Sequence, residues 1–150
     1  MDLAHAKAVS DEIESMLSDQ AIVRVSDRNA PGFFHHTFAV DKPDGRHRPI
    51  ADLRRLNEFL AYEHFQMESM RTVRELLRPG DHMVRLDLKS AYLHVPIDPE
   101  HRPFLDFFHQ GQRYRYQCLP FGLSCAPRVF TKLLKPVVTQ LRSHGIRLVI

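Results

Sequence analysis

The sequence has no tryptophan and only two cysteines, Cys118 and Cys125. Two cysteines exclude a disulfide scaffold and lack the spacing of a metal site, so a reduced, intracellular setting is the default expectation. No apolar run approaches the ~18 residues of a membrane span, and the first residues lack the basic-then-apolar pattern of a secretory signal. No membrane partner is therefore expected. Ten histidines are present without a His-Glu-x-x-His motif or a His/Cys cluster, which argues against zinc. His35-His36, the only adjacent pair, reads as a loop or edge-strand surface. The most uneven absence is of acid. All 18 Asp and Glu lie at or before Asp106, whereas residues 107–150 hold seven Lys or Arg. Such a block of cations suits a polyanionic partner, with an ordinary solvated helix face as the equal alternative.

What is present suffices for a core. At 150 residues and 43% hydrophobic, the chain is one domain or a piece of one. Val9, Ile13, Met16 and Leu17 share one face of a helix over 10–20. Phe33 to Val40 reads as a strand, 41–45 as a hairpin turn with Asp44-Gly45 at its tip, and Arg46 to Leu53 as the returning strand. Pro49 places that return at an edge or a bulge. Residues 54–70 read as loop with a helical turn, and Val73 to Leu77 as helix. Met83 to Leu88 reads as a strand, followed by a tight turn or short helix at 89–92. Phe104 to Phe108 and Tyr114 to Leu119 form a second hairpin around Gln110-Gly111-Gln112. Phe130, Leu133, Leu134, Val137, Val138 and Leu141 mark a final helix, with Ser124 or Cys125 as N-cap. Pro136 is expected to kink or split that helix, and Ile146 to Ile150 to begin a strand. Hairpin-linked strands mixed with helices imply an α+β fold.

The chemistry-bearing residues follow that layout. Asp87 ends an apolar strand-like run, where a carboxylate has little packing purpose and can hold a divalent metal over a phosphate; read alone such a residue is more often a turn or cap. Ala91-Tyr92 then supplies a small residue and a ring that can pack beneath a sugar or sit half-buried in the core. Lys42, Arg46, Arg48, Arg54 and Arg55 surround the first hairpin, where cations clamp a triphosphate or simply protect an edge strand. Leu119 to Gly122 leads into the last helix. A glycine there lets backbone approach a nucleotide, or marks an ordinary strand–turn–helix junction.

In this order the residues resemble the reverse transcriptase domain of retroelements, from near Asp11 to Ile150. The stretches carrying the resemblance are Phe38 to Asn57, Leu86 to Ile97 and Leu119 to Lys132. They look most like retrotransposons of the long-terminal-repeat and tyrosine-recombinase (DIRS-type) groups, with the latter favoured. The resemblance implies an α+β fingers and partial palm, with 11–80 and 95–127 fingers-like and 81–94 and 128–150 palm-like. It implies that Lys42 and Arg48 contact the incoming triphosphate and that Asp87 is a metal-binding carboxylate. Leu88 would lend its backbone carbonyl, Tyr92 would act as a steric gate against ribonucleotides, and Phe121 and Gly122 would lie by nucleotide and template. The implied cofactor is Mg2+, with Mn2+ an alternative. The implied partners are an RNA/DNA primer–template, deoxynucleoside triphosphates and the rest of a polyprotein. The family's other carboxylates lie in a Tyr-x-Asp-Asp turn after a strand like Arg147 to Ile150. No acid follows Asp106, so the 150-residue chain by itself is expected to be inactive. A non-catalytic nucleic-acid-binding or non-functional remnant is the alternative.

Overall fold

The computed structural model describes residues 3–27, 29–41, 43, 47–61 and 63–150. The first helix, α1 (Leu3–Ser18), begins earlier than its apolar spacing requires and buries Val9, Ile13 and Met16. A turn through Gln20 in the left-handed region (φ 56°) leads into β1 (Ile22–Val25), a short strand absent from the sequence expectations. Strands β2 (Phe34–Asp41) and β3 (His47–Asp52) form the anticipated hairpin, with Ala39 opposite Pro49. The second hairpin joins β4 (Asp106–His109) to β5 (Gln112–Tyr116) through Gln110-Gly111, both at positive φ.

These strands form one sheet in the order β1-β5-β4-β2-β3. Pro49 thus falls on an edge strand, the place in a sheet where a missing N–H is tolerated. The two hairpins meet through a parallel pairing of Phe34 with Asp106 and His35 with Phe107. β2 is therefore interior, and His35 is buried against Phe107 and Tyr116 while His36 is exposed. This corrects the surface reading of His35. Val9, Ile13, Ile22, Phe107, Tyr114 and Tyr116 share one core cluster with Leu53, Leu56, Leu119 and Leu123 from the connecting segments.

A buried ion pair ties the 27–32 loop to this sheet. Arg113 and Asp106 are both fully buried, and Arg113 Nε donates to Asp106 Oδ2 at 2.9 Å. The remaining guanidinium nitrogens donate to the carbonyls of Asp27, Ala30 and Pro31, while Arg115 donates to Asp106 from the side. A carboxylate satisfied on both oxygens is what permits burial of such a charge. Gly32 lies so close that a Cβ there would stand 2.5 Å from the Arg113 guanidinium. Asp106 is thus a structural anchor.

Elsewhere the short helical pieces meet expectation, and the runs after them diverge. α2 (Arg54–Asn57) and α3 (Met70–Leu76) are short helices, the latter capped by Ser69. Residues 83–88 and 146–150 have no ladder partners among the described residues, so neither expected strand forms. Leu86 is 89% exposed. The last helix, α4 (Ala126–Ser143), starts after Cys125 and runs through Pro136 without splitting. Its anticipated core face is only partly covered: Val138 is buried, whereas Leu133, Val137 and Leu141 are exposed.

Candidate functional site

Two segments far apart in sequence build the site. In the first, the run through Leu86 and Asp87 turns at Lys89-Ser90, where Ser90 takes a left-handed conformation (φ 52°). A 3-10 turn at Ala91–His94 follows, and the His94 imidazole lies 3.1 Å from the Lys89 carbonyl, which accepts its N–H. The turn presents Tyr92 inward. Its ring is half-buried against Phe121 (centroids 4.9 Å) and edge-on to Phe130 of α4 (5.5 Å).

The second segment is the turn between β5 and α4. Leu119 N–H donates to the Val95 carbonyl at 2.8 Å, which fixes the turn beside the Tyr92 segment. Gly122 then adopts φ +98°, a conformation side chains rarely tolerate, and a Cβ there would lie 3.2 Å from the Ala51 carbonyl. Asn57, at the end of α2, clamps this turn from both sides. Its Nδ2 donates to the Gly122 carbonyl (2.9 Å), and its Oδ1 accepts the Ser124 N–H (2.8 Å). Phe121, half-exposed, is left at the surface beside Tyr92. Sequence reading placed Asn57 in a motif without a role; a lone Asn ending a short helix carries no periodic signal that marks it.

Tyr92, Phe121 and Gly122 are thus brought together. Asp87 stands five residues before Tyr92, exposed, with no hydrogen bond or ion pair among the described residues. Leu88 is also exposed. The Asp87 carboxylate and the Leu88 carbonyl are hard oxygen donors, which suit a magnesium-type cation that takes one or two carboxylates and completes its shell from phosphates and water. Among the described residues Asp87 joins no group of three metal-ligand side chains.

The cations distribute differently from expectation. Lys42 lies outside the described residues. Arg48 pairs with Val40 through the β2–β3 ladder, and its side chain lies outside the described atoms. Arg54 is engaged by Asp52 at 2.6 Å, and its guanidinium pulls that carboxyl down to about 2. Arg55 stands over the Phe33 ring. Of the seven cations after Asp106, five are paired. Arg113 and Arg115 hold Asp106, Arg128 holds Glu63, Arg142 holds Glu68 and Arg147 holds Asp81. Exposed Lys132 and Lys135 have no ion pair among the described residues. The charge asymmetry of the linear sequence is therefore largely compensated in space. The two thiols, pushed up by burial, are poor nucleophiles.

Residues 40–150 match the family model described as reverse transcriptase (RNA-dependent DNA polymerase). The Pol polyprotein of equine infectious anemia virus (strain Wyoming) is 30% identical over 150 residues, covering 92% of this chain and 12% of that protein. The retrovirus-related Pol polyprotein from transposon gypsy of Drosophila melanogaster is 29% identical over 140 residues, covering 88% of this chain and 13% of its own length. Among solved structures, the native prototype foamy virus protease-reverse transcriptase superposes with a TM-score of 0.71 at 23% identity, covering 95% of this chain and 18% of that one. The foamy viral protease-reverse transcriptase in complex with dsDNA superposes at 0.72 with 18% identity, over 90% of this chain and 28% of its partner in the alignment. The chain thus spans about an eighth of the curated relatives it matches.

Proposed function

The chain belongs to the reverse transcriptase (RNA-dependent DNA polymerase) family, and from that premise we propose that it supplies the fingers and part of the palm of an RNA-directed DNA polymerase. In a complete enzyme the substrates are deoxynucleoside triphosphates and a primer–template of RNA or DNA. The packing of Tyr92 on Phe121, beside the positive-φ backbone of Gly122, is the observation that carries the reading. A ring held on two sides cannot yield to an added sugar hydroxyl, whereas a free one can. Tyr92 is thereby suited to exclude ribonucleotides, and Phe121-Gly122 to form the adjoining wall. Lys42 and Arg48 are assigned to the triphosphate.

Asp87 and the Leu88 carbonyl would hold a divalent ion, which when bound supplies charge neutralisation at the phosphates. Asp87 faces solvent, with no ion pair among the described residues to compete for its carboxylate. One carboxylate does not fix a pair of ions, so the 150-residue chain alone is assigned no polymerase activity. The division into fingers-like 11–80 and 95–127 and palm-like 81–94 and 128–150 belongs to the same proposal. The alternative of a nucleic-acid-binding remnant is less well supported, because five of the seven C-terminal cations are engaged within the chain.

Primer extension on a primed RNA template tests the reading. The 150-residue chain is expected to give no product, and product that disappears in Asp87→Ala would overturn the assignment of inactivity. In a polypeptide that also carries a Tyr-x-Asp-Asp turn, Tyr92→Ala is expected to admit ribonucleotides. Unchanged sugar selectivity there removes Tyr92 from its assigned role.

A further inference from the structure

Three potential ligand side chains from three elements converge where β2 ends and β3 begins. His5 lies in the first turn of α1, Asp41 ends β2 and His47 begins β3. His5 Nε2 is 2.8 Å from Asp41 Oδ1, and His47 Nδ1 is 2.8 Å from the same oxygen. The imidazole rings meet edge-on with centroids 4.5 Å apart, and one ligand atom from each residue lies within 4.8 Å of the others. Both imidazoles are about three-quarters covered, while Asp41 is 70% exposed. Asp41 and His47 are direct partners in the β2–β3 ladder, so two of the three side chains are positioned by backbone hydrogen bonds.

We propose that His5, Asp41 and His47 bind a divalent transition metal, zinc foremost, which clamps the first turn of α1 to the turn-side end of the β2–β3 hairpin. The donor set is two imidazole nitrogens and one carboxylate oxygen. Zinc takes such ligands at about 2.0–2.2 Å in a tetrahedron, with water filling an open position. Tetrahedral bonds of that length put ligand atoms roughly 3.3 Å apart, so the two contacts to Asp41 open by about half an ångström on binding. Rotation of the exposed Asp41 side chain provides that room, and its solvent side leaves the fourth position to water. Imidazole nitrogen suits zinc, nickel or copper and is a poor donor for magnesium, so this site and the Asp87 oxygen site select different ions. No local motif announces it, because 36 residues separate His5 from Asp41 and six separate Asp41 from His47. The sequence argument against zinc rested on such motifs and did not reach a site assembled by the fold.

The inference is independent of the polymerase reading and is tested on the 150-residue chain with metal alone. Titration calorimetry with ZnCl2 is expected to show one zinc per chain. His5→Ala and His47→Ala should each weaken binding at least about tenfold, and Asp41→Asn should also weaken it. His101→Ala, remote in the fold, should not. Zinc should raise the melting temperature of the unmutated chain, and the rise should vanish in His5→Ala. Co2+ provides a test without substitution: its visible bands should have the intensity of a tetrahedral site and disappear on adding zinc. No saturable zinc or Co2+ binding, or affinity that survives both histidine substitutions, overturns the proposal.

Discussion

The sheet half of the molecule and the half that carries Asp87 and α4 have similar apolar sequences and opposite fates. In the sheet half, Val9, Ile22, Leu53 and Phe107 are at most 2% exposed, and a buried Asp106–Arg113 pair has its polar atoms satisfied. In the other, Val84 and Leu86 are more than 85% exposed, as are the Leu133 and Val137 positions of α4 to a lesser degree. There the segments are held mainly by ion pairs at the surface, Arg128–Glu63, Arg142–Glu68 and Arg147–Asp81. Alternation of apolar residues thus marks a face that favours burial; whether it is buried depends on a partner. Where the partner is present, hydrophobic contact stabilises the structure. Where it is not, charge pairs fix position while contributing little free energy.

Substitutions can break this contrast or sharpen it. The largest effect is expected from Asp106→Ala, which strands the fully buried Arg113 guanidinium and should cost about 3–5 kcal/mol in urea unfolding. Loss below ~1 kcal/mol would mean that water reaches the pair. Leu53→Ala should cost about 2–5 kcal/mol, whereas Leu86→Ala should stay within about 0.5 kcal/mol. Equal losses at the two leucines would erase the distinction between the halves.

The sheet half should also be the acid-sensitive one. His35 is buried with neither ring nitrogen bonded among the described residues, and burial lowers its pKa from 6.5 to about 4. The unfolded chain therefore takes up a proton first as pH falls. Stability is full above pH 6.5 and declines between 6.5 and about 4, by roughly 3 kcal/mol in total. His35→Phe should flatten that part of the pH–stability curve, and an unchanged slope would assign the acid sensitivity to other groups. The smallest effects belong to the surface pairs. Arg142→Ala is expected to cost about 0–1 kcal/mol. Added salt should speed amide exchange in residues 61–88 before it affects β4 and β5, and simultaneous opening of both regions would argue for a single cooperative unit.

The legible parts of the sequence were those whose signals are local. The 3.6-residue spacing of Val9, Ile13 and Met16 marks α1, and turn chemistry at Gln110-Gly111 marks the second hairpin. Pro49 marked its strand as an edge, which the sheet order bears out. The ordered motifs around Asp87 and Leu119 pointed to the family that the match over 40–150 shows. β1 escaped because Ile22 to Val25 is short, carries Arg24 and follows directly on a helix. Met83 to Leu88 was overread because strand propensity says nothing about a neighbour to pair with. His35 looked like surface because the parallel pairing of β2 with β4 cannot be inferred from either segment. Asn57 and the His5–Asp41–His47 convergence are products of tertiary structure, with no trace in local spacing.

That parallel pairing also sets an order of events. Among the described residues β1 has β5 as its ladder neighbour, and β2 joins the rest of the sheet through β4, so the sheet waits for residues 106–116 to exist. During synthesis α1 and the β2–β3 hairpin emerge first and can form early, but their apolar faces remain uncovered while more than fifty further residues are added. The Asp87 segment lies within that interval, as a long loop whose ends are brought together when β4 docks. Such distant contacts pay their loop-closure entropy before any burial rewards it, which slows folding. Apolar surface left uncovered in that interval is what favours aggregation, and residues 106–116 are what cover it.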